Sequence, residues 1–276
     1  ETGSLANRVT YRFVPWSDGE ILVRECGSGA GPPLVLVPHI PGSSASYEAL
    51  MLALSGDRRV IAIDPPGNGD SDLNRVLSID EHAAAIDVVL DALGLETIDL
   101  YGHNGGATIA AALATRRTKP VGHLILDGAM ALPAAVRDAL APAYAPPIRL
   151  ESDGSHLLKL WSALRNEQLY WPWYNESVES VRFIEPDTDP AHLTRRLIGI
   201  LKQHRHYAAT YGVLFADDLA ARFGAIDCPT LVCASESDPF ADFRERAAGY
   251  VTGAVSVVTP LAPVDRALVL RKFLDG

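Results

Sequence analysis

Five short apolar runs constrain this chain most: "PLVLVP" (33–38), "RVIAID" (59–64), "TIDLYG" (97–102), "GHLILD" (122–127) and "PTLVCA" (229–234). Each is rich in branched aliphatic residues and almost continuously apolar. That pattern suits strands buried on both faces of a parallel sheet, not strands with one wet face. Parallel neighbours need long crossovers, so helices are expected between them. Helical stretches do lie there. Residues 46–54 hold few breakers, and 78–94 starts with Ser78 and Glu81 in capping-box spacing and exits at Gly94. An Ala-rich stretch at 105–117 ends on Arg116 and Arg117, placed to complement the helix dipole. Such alternation predicts an α/β, doubly wound domain.

Two alternating segments, 9–14 and 20–25, flank the turn-forming "WSDGE" and read as a leading hairpin. The alternation breaks after Asp127. Residues 131–223 hold helical patterns and many large aromatics, among them Trp161, Tyr170, Trp171, Trp173, Tyr174, Tyr207, Tyr211 and Phe215. This segment is expected to be a helical lid inserted after the sixth strand, with 5–130 and 224–276 forming the core. The core closes with "AVSVV" (254–258) and a helix near 264–274. The opening Glu1–Ser4 is set aside from this reading.

A chain of 276 residues with 48% hydrophobic and 21% charged residues is long and apolar enough for one large core. The formal charge of −10 invites neither nucleic acid nor an anionic membrane as partner. The three cysteines, Cys26, Cys228 and Cys233, sit in or beside strand-like runs and read as buried free thiols, without metal or redox role. No run reaches the roughly 18–20 apolar residues of a membrane span, and no signal peptide is visible. The expectation is a cytoplasmic monomer or homodimer acting on a small molecule, without cofactor or metal.

Three stretches bring a resemblance. "VLVPHIPGSS" (35–44) is similar to the H-G-x-P-G loop after the third strand of the α/β-hydrolase fold superfamily. "DPPGNGDSD" (64–72) is similar to its D-x-P-G-x-G-x-S stretch after the fourth, and "GHNGG" (102–106) falls on its nucleophile elbow after the fifth. In order and at family spacing, the three carry a resemblance over the whole chain, most firmly 30–130. It implies a mostly parallel eight-stranded sheet flanked by helices. It also implies an oxyanion hole formed by the amides of Gly105 and Ile40.

The chain departs from the family pattern at its chemistry. The elbow's middle residue is Asn104, whose amide is a poor nucleophile but tolerates the left-handed geometry of the turn. Asp238, in "ASESDPF" (234–240), stands where the resemblance expects the acid. The histidine expected in "TPLAPVDR" (259–266) is absent, and no histidine follows His206. Aligned on Pro41 and Gly42, Pro38 occupies the family's His position and His39 its Gly position. That puts an imidazole at the mouth of the expected site.

The candidate catalytic residues are therefore Asn104, His39 and Asp238. Ile40, Gly105, Trp161, Trp173, Tyr174 and His206 are the candidate substrate-binding residues. His103, beside the elbow, reads as packing; His123 reads as structural. Asn104 is either a geometric placeholder or an amide that orients a substrate oxygen; Asn-Gly deamidation to an aspartate nucleophile is a further route. The functional expectation is a non-hydrolytic enzyme, a lyase or cyclase, that uses preorganised hydrogen bonds and an imidazole in place of a covalent nucleophile. Acetate elimination from an acylated tetronate in bacterial natural-product biosynthesis is the example the resemblance offers. Two alternatives stay open. One is an ester or epoxide hydrolase whose nucleophile is replaced by Asn104. The other is a catalytically silent ligand-binding protein.

Overall fold

The computed structural model describes residues 8–73 and 75–276, so Glu1–Ser4 lie outside the described residues. The strands are β1 (Thr10–Trp16), β2 (Gly19–Cys26), β3 (Leu34–Val37), β4 (Val60–Ile63), β5 (Ile98–His103), β6 (Val121–Asp127), β7 (Thr230–Ser235) and β8 (Val255–Thr259). They form one 8-stranded sheet in the order β1-β2-β4-β3-β5-β6-β7-β8. The β1–β2 hairpin runs antiparallel, and β2 joins β4 antiparallel with Val23 opposite Ile63. From β4 through β3, β5, β6 and β7 to β8 the pairing is parallel.

Core helices flank this sheet: α1 (Glu48–Leu54), α2 (Ile79–Ala92) and α3 (Gly105–Arg116). Between β6 and β7 the chain forms α4 (Ala134–Leu140), α5 (Ser155–Leu169), α6 (Pro190–Lys202), α7 (Tyr207–Ala216) and α8 (Leu219–Gly224). α9 (Arg244–Ala248) and α10 (Pro263–Leu274) follow.

The period-two alternation of the strands sorts the core into two layers. Val35, Val37, Ile61 and Ile63 pack with Ile86 and Leu90 of α2 and Ala107 and Ala110 of α3. Leu34, Leu36, Val60 and Ala62 face the other way, onto Met51 and Leu54 of α1 and Leu270 and Leu274 of α10. Both faces are thus buried, as the continuous apolar runs predict. α2 starts in a true capping box: the Ser78 hydroxyl accepts from the Glu81 amide, and Glu81 accepts from the Ser78 amide at 2.8 Å.

Two local expectations change. Arg117 does not extend α3: its backbone is extended, and its side chain turns to Asp87 and the Leu95 carbonyl, tying α3 to α2. Cys26 and Cys233 are buried free thiols, but Cys228 is half-exposed just before β7.

The helical insertion is fastened across the C-terminal ends of the strands. Gln203, just after α6, donates to the Gly42 carbonyl at 2.8 Å. Arg182 donates to the Ser237 carbonyl at 2.6 Å, and Lys202 pairs with Asp70. These contacts span the loops after β3, β4 and β7. In open α/β sheets that edge is where ligands bind.

Candidate active site

The elbow is the strained point of the site. Asn104 has φ 49° and ψ −117°, and it is the one non-glycine residue with positive φ among the described residues. Its amide donates to the Asp127 carbonyl at 2.8 Å and its carbonyl accepts from Ala107 at 2.9 Å, so β6 and α3 hold the turn from both sides. Such strain persists only where the surroundings over-determine it. Close approach of the α3 start to the β3 loop explains the glycines. A Cβ on Gly106 would collide with the carbonyls of Val37 and Pro38, and one on Gly105 would lie 2.8 Å from Ile40 Cγ1. Gly105 opens α3, so its N–H has no intrahelical partner, and Ile40 lies against it. Ile40 and Gly105, the two residues expected to supply the oxyanion donors, are therefore in contact.

Asp238 is buried in the loop after β7. Its Oδ1 accepts from the Phe240 amide at 2.7 Å. Its Oδ2 faces His103 Nε2 at 3.1 Å and Asn104 Nδ2 at 3.0 Å. Gly128 makes room for this meeting, since a Cβ there would strike both Asp238 and Asn104. Burial pushes the Asp238 carboxyl up. The hydrogen bond and charge of His103, with the Phe240 amide and Asn104, outweigh burial and hold it below the usual carboxylate range.

His103 then passes the contact on. Its Nδ1 lies 2.6 Å from the Tyr47 hydroxyl, and that hydroxyl lies 3.0 Å from His39 Nδ1 and 3.1 Å from the His39 amide. The chain Asp238–His103–Tyr47–His39 has one consistent proton assignment when each ring carries one proton. The ionised Asp238 needs a donor, so His103 carries its proton on Nε2 and accepts on Nδ1. Tyr47 has one proton and gives it to His103. Its oxygen then accepts twice, from the His39 amide and from His39 Nδ1–H. His39 Nε2 is left with its lone pair and no hydrogen-bond partner among the described residues. The 3.1 Å approach of Asn104 Nδ2 to His103 Nε2 joins two donors and is a contact, not a bond. The Asn104 amide is spent on Asp238.

Burial, and next to it His103, push the His39 imidazole down to about 3, so it is neutral near pH 7. Burial likewise raises the Tyr47 phenol well above its ordinary value, which keeps its relaying proton in place.

The structure thus brings Asn104, His39 and Asp238 together, through His103 and Tyr47. The packing role expected for His103 is corrected: it is the imidazole that Asp238 holds. One signal was available, because a chain with no histidine after His206 leaves Asp238 to find its partner elsewhere. Tyr47 carried no such signal; it closes a short 3-10 turn (Ser44–Tyr47) ahead of α1. Ile40 and Gly105 lie at the elbow.

Other candidates lie apart from this network. Trp161 packs with Leu164, Leu193, Ile200 and Tyr207 inside the insertion. Trp173 donates to the Tyr144 carbonyl at 2.8 Å, and the more exposed Tyr174 stacks edge-on against it. His206 precedes α7 and makes no side-chain cap. His123 bonds Asp99 at 3.0 Å, a structural role. Among the described residues, no group of three or more His, Cys, Asp or Glu side chains is placed to hold a metal ion.

A family model described as the α/β hydrolase fold matches residues 32–245. The chain belongs to the α/β-hydrolase fold family. Among similar proteins, 2-hydroxymuconate semialdehyde hydrolase of Pseudomonas sp. (strain CF600) is 41% identical over 110 residues, 37% of this chain and 38% of that protein. A 2-hydroxy-6-oxononadienedioate/2-hydroxy-6-oxononatrienedioate hydrolase of Pseudomonas putida is 27% identical over 253 residues, 87% of this chain and 84% of that protein. The first of these matches spans well under half of the relative's length. Among solved structures, a hydrolase from Pseudomonas aeruginosa PA01 superposes with TM-score 0.74 at 22% identity, covering 96% of this chain and 98% of that one. The fold class expected from the sequence is the one observed. No described helix is long and apolar enough to cross a membrane.

Proposed function

We propose that this α/β-hydrolase-fold chain is an enzyme that acts on a small carbonyl substrate without a covalent intermediate. His39 Nε2 is its base and the Gly105 and Ile40 amides are its oxyanion donors. The carrying observation is the contact chain Asp238–His103–Tyr47–His39, which leaves His39 Nε2 without a hydrogen-bond partner among the described residues. At the elbow, Asn104 offers no nucleophile.

The reaction this arrangement serves best is proton removal next to, or vinylogous to, a carbonyl. His39 Nε2 takes the substrate proton. The electron pair moves onto the carbonyl oxygen, where the two amides hold the enolate. Collapse of the enolate breaks the bond to a leaving group such as acetate and forms the carbon–carbon double bond. An isolated buried imidazole would resist charging. Here His39 Nδ1–H passes its proton to Tyr47, Tyr47 passes its own to His103, and the imidazolium forms against Asp238. The positive charge ends beside a carboxylate, where it is stabilised. This is a lyase or cyclase reading, and natural-product chemistry with acylated tetronates supplies a suitable substrate class.

The names of the similar proteins favour a second reading, in which His39 takes the proton from water and the water attacks the carbonyl directly. One experiment separates the two. An O-acetylated tetronate and p-nitrophenyl acetate are offered to the protein, products are followed by mass spectrometry in ¹⁸O-water, and the intact chain is weighed during turnover. The expected result is acetate free of ¹⁸O, no acyl adduct, and loss of turnover in His39→Ala. ¹⁸O in the acetate without an adduct would favour direct hydrolysis. An acyl adduct on the chain, or undiminished turnover in His39→Ala, would overturn the proposal. Ligand binding with no turnover by any route would favour a silent receptor.

A further inference from the structure

The lid side of the site holds polar groups that the relay does not use. α7 roofs the elbow: Leu214 Cδ1 lies 2.8 Å from where a Gly105 Cβ would be. One turn back on α7 is Tyr211, whose ring packs 5.4 Å from both Tyr144 and Tyr207 and stacks 6.0 Å from Phe215. Tyr144 and Tyr207 are 4% and 8% exposed. None of these three hydroxyls has a hydrogen-bond partner among the described residues, and none is sealed away from solvent, so each is free to bond a ligand.

On α6, Arg196 donates from Nη2 to Glu167 of α5 at 2.5 Å, and both side chains are half-buried. Arg196 is close enough to His39 for its charge to disfavour a second positive charge there, and Tyr211, Tyr144 and Glu167 all bear on Arg196. Gln203, at the end of α6, is bonded to the loop that carries His39. The insertion thus carries phenol hydroxyls, guanidinium N–H groups and a carboxylate, with the end of α6 tied to the loop that holds His39 and α7 packed on the elbow.

We infer that this cluster is a specificity subsite for an uncharged, oxygen-rich group, such as an enol, a phenol or a hydroxy-ketone, and that it selects against carboxylates. The reason is the counter-ion. A lone arginine under a lid recruits an anion bidentately. Arg196 already holds Glu167, so a ligand carboxylate would meet an acceptor of its own sign in a poorly solvated place. A neutral hydroxyl or ketone instead finds donors in Arg196 and the phenols and an acceptor in Glu167. The inference rests on the proposed site being where substrate binds, and it deepens that reading by naming the substrate's polar end.

The test uses a matched pair of probes, 2-hydroxyacetophenone and salicylate, which share a ring and an ortho hydroxyl and differ in acetyl against carboxylate. Binding is measured by calorimetric titration at pH 7.5 on the full chain and three variants, each checked for an unchanged melting temperature. The wild type should prefer the ketone by about tenfold or more. Glu167→Gln should raise salicylate affinity by about tenfold and leave the ketone within about threefold. Tyr211→Phe, which removes one hydroxyl and keeps the ring, should weaken the ketone about threefold to tenfold. His39→Ala should keep the ketone-over-salicylate preference even though it loses turnover, so failure of the base assignment and failure of the subsite can be told apart. Equal or tighter salicylate binding by the wild type would overturn the inference. So would an unchanged preference in both Glu167→Gln and Tyr211→Phe, or no saturable binding of either probe.

Discussion

Two buried carboxylates end neighbouring strands, and their partners set them apart. Asp127 closes β6 fully buried, accepts from the Tyr101 hydroxyl at 2.7 Å and pairs with Arg266 of α10 at 3.1 Å. Asp238 follows β7 and meets His103 and Asn104. Arg266 cannot give up its proton: burial works against its charge, but Asp127 beside it outweighs burial and raises it further. That pair is fixed, and Asp127 Oδ1 is left buried with no hydrogen-bond partner among the described residues. Asp238 instead meets an imidazole, His103, which Tyr47 links to a second imidazole. One carboxylate holds the fold together, and the other gives a direction to a chain of protons.

Breaking each region should therefore have a different result. The largest effect is expected for His39→Ala, which removes the base: turnover of the responsive substrate should fall by about 10²–10⁴ in kcat with an unchanged melting curve. Next is Arg266→Met, which strands Asp127 as an unpaired buried charge. It should cost about 3–5 kcal/mol in urea unfolding, while kcat of the folded protein changes little. Tyr47→Phe keeps the ring and cuts the relay. It should lower kcat about 10–100-fold with KM nearly constant, and rescue by a second hydroxyl-bearing residue is not expected.

The pH dependence of stability sharpens the comparison further. His39 is held down to about 3, and His82, a buried residue of α2, to about 4, with burial the leading cause for both. Each folded value lies below the unfolded one, so the unfolded chain binds more protons at mildly acid pH. Both contributions are intact above about pH 6.5 and are lost as pH falls toward the folded values. Asp238, also held low, adds loss in the same direction at more acid pH. Unfolding free energy measured at pH 7.5 and pH 5 should drop by about 2 kcal/mol from His82 alone. The smallest effect is expected for Asn104→Ser. His103 turns its N–H to Asp238 and has no lone pair to activate a serine there, so ester hydrolysis should rise less than about twofold, with no acyl-enzyme in the mass spectrum.

The sheet and the elbow were legible because burial on both faces and a tight strand-to-helix turn each leave a local mark. "PLVLVP" and "RVIAID" could hardly be anything but central strands, and Gly105 and Gly106 mark a close approach. Asp238 was legible by its distance from β7. His103 was only half legible: the missing histidine after His206 left Asp238 without its expected partner, but nothing local to the elbow marks His103 as the replacement. Tyr47 was not legible at all. Its role depends on a hydroxyl meeting a ring 56 positions away, a fact of tertiary geometry with no local pattern. Arg117 differed from expectation for the same reason: Asp87 and Leu95, distant in sequence, decide where its side chain lies.

The account turns on which nitrogen of His39 carries the proton. Long-range ¹H–¹⁵N correlation spectra of histidine-labelled protein, with His39→Gln used for assignment, report that directly. The account predicts a neutral His39 ring protonated on Nδ1, with a free-lone-pair signal from Nε2 that persists well below pH 6, and a shift of that tautomer balance in Tyr47→Phe. A proton on Nε2, or an imidazolium at pH 6, would contradict it.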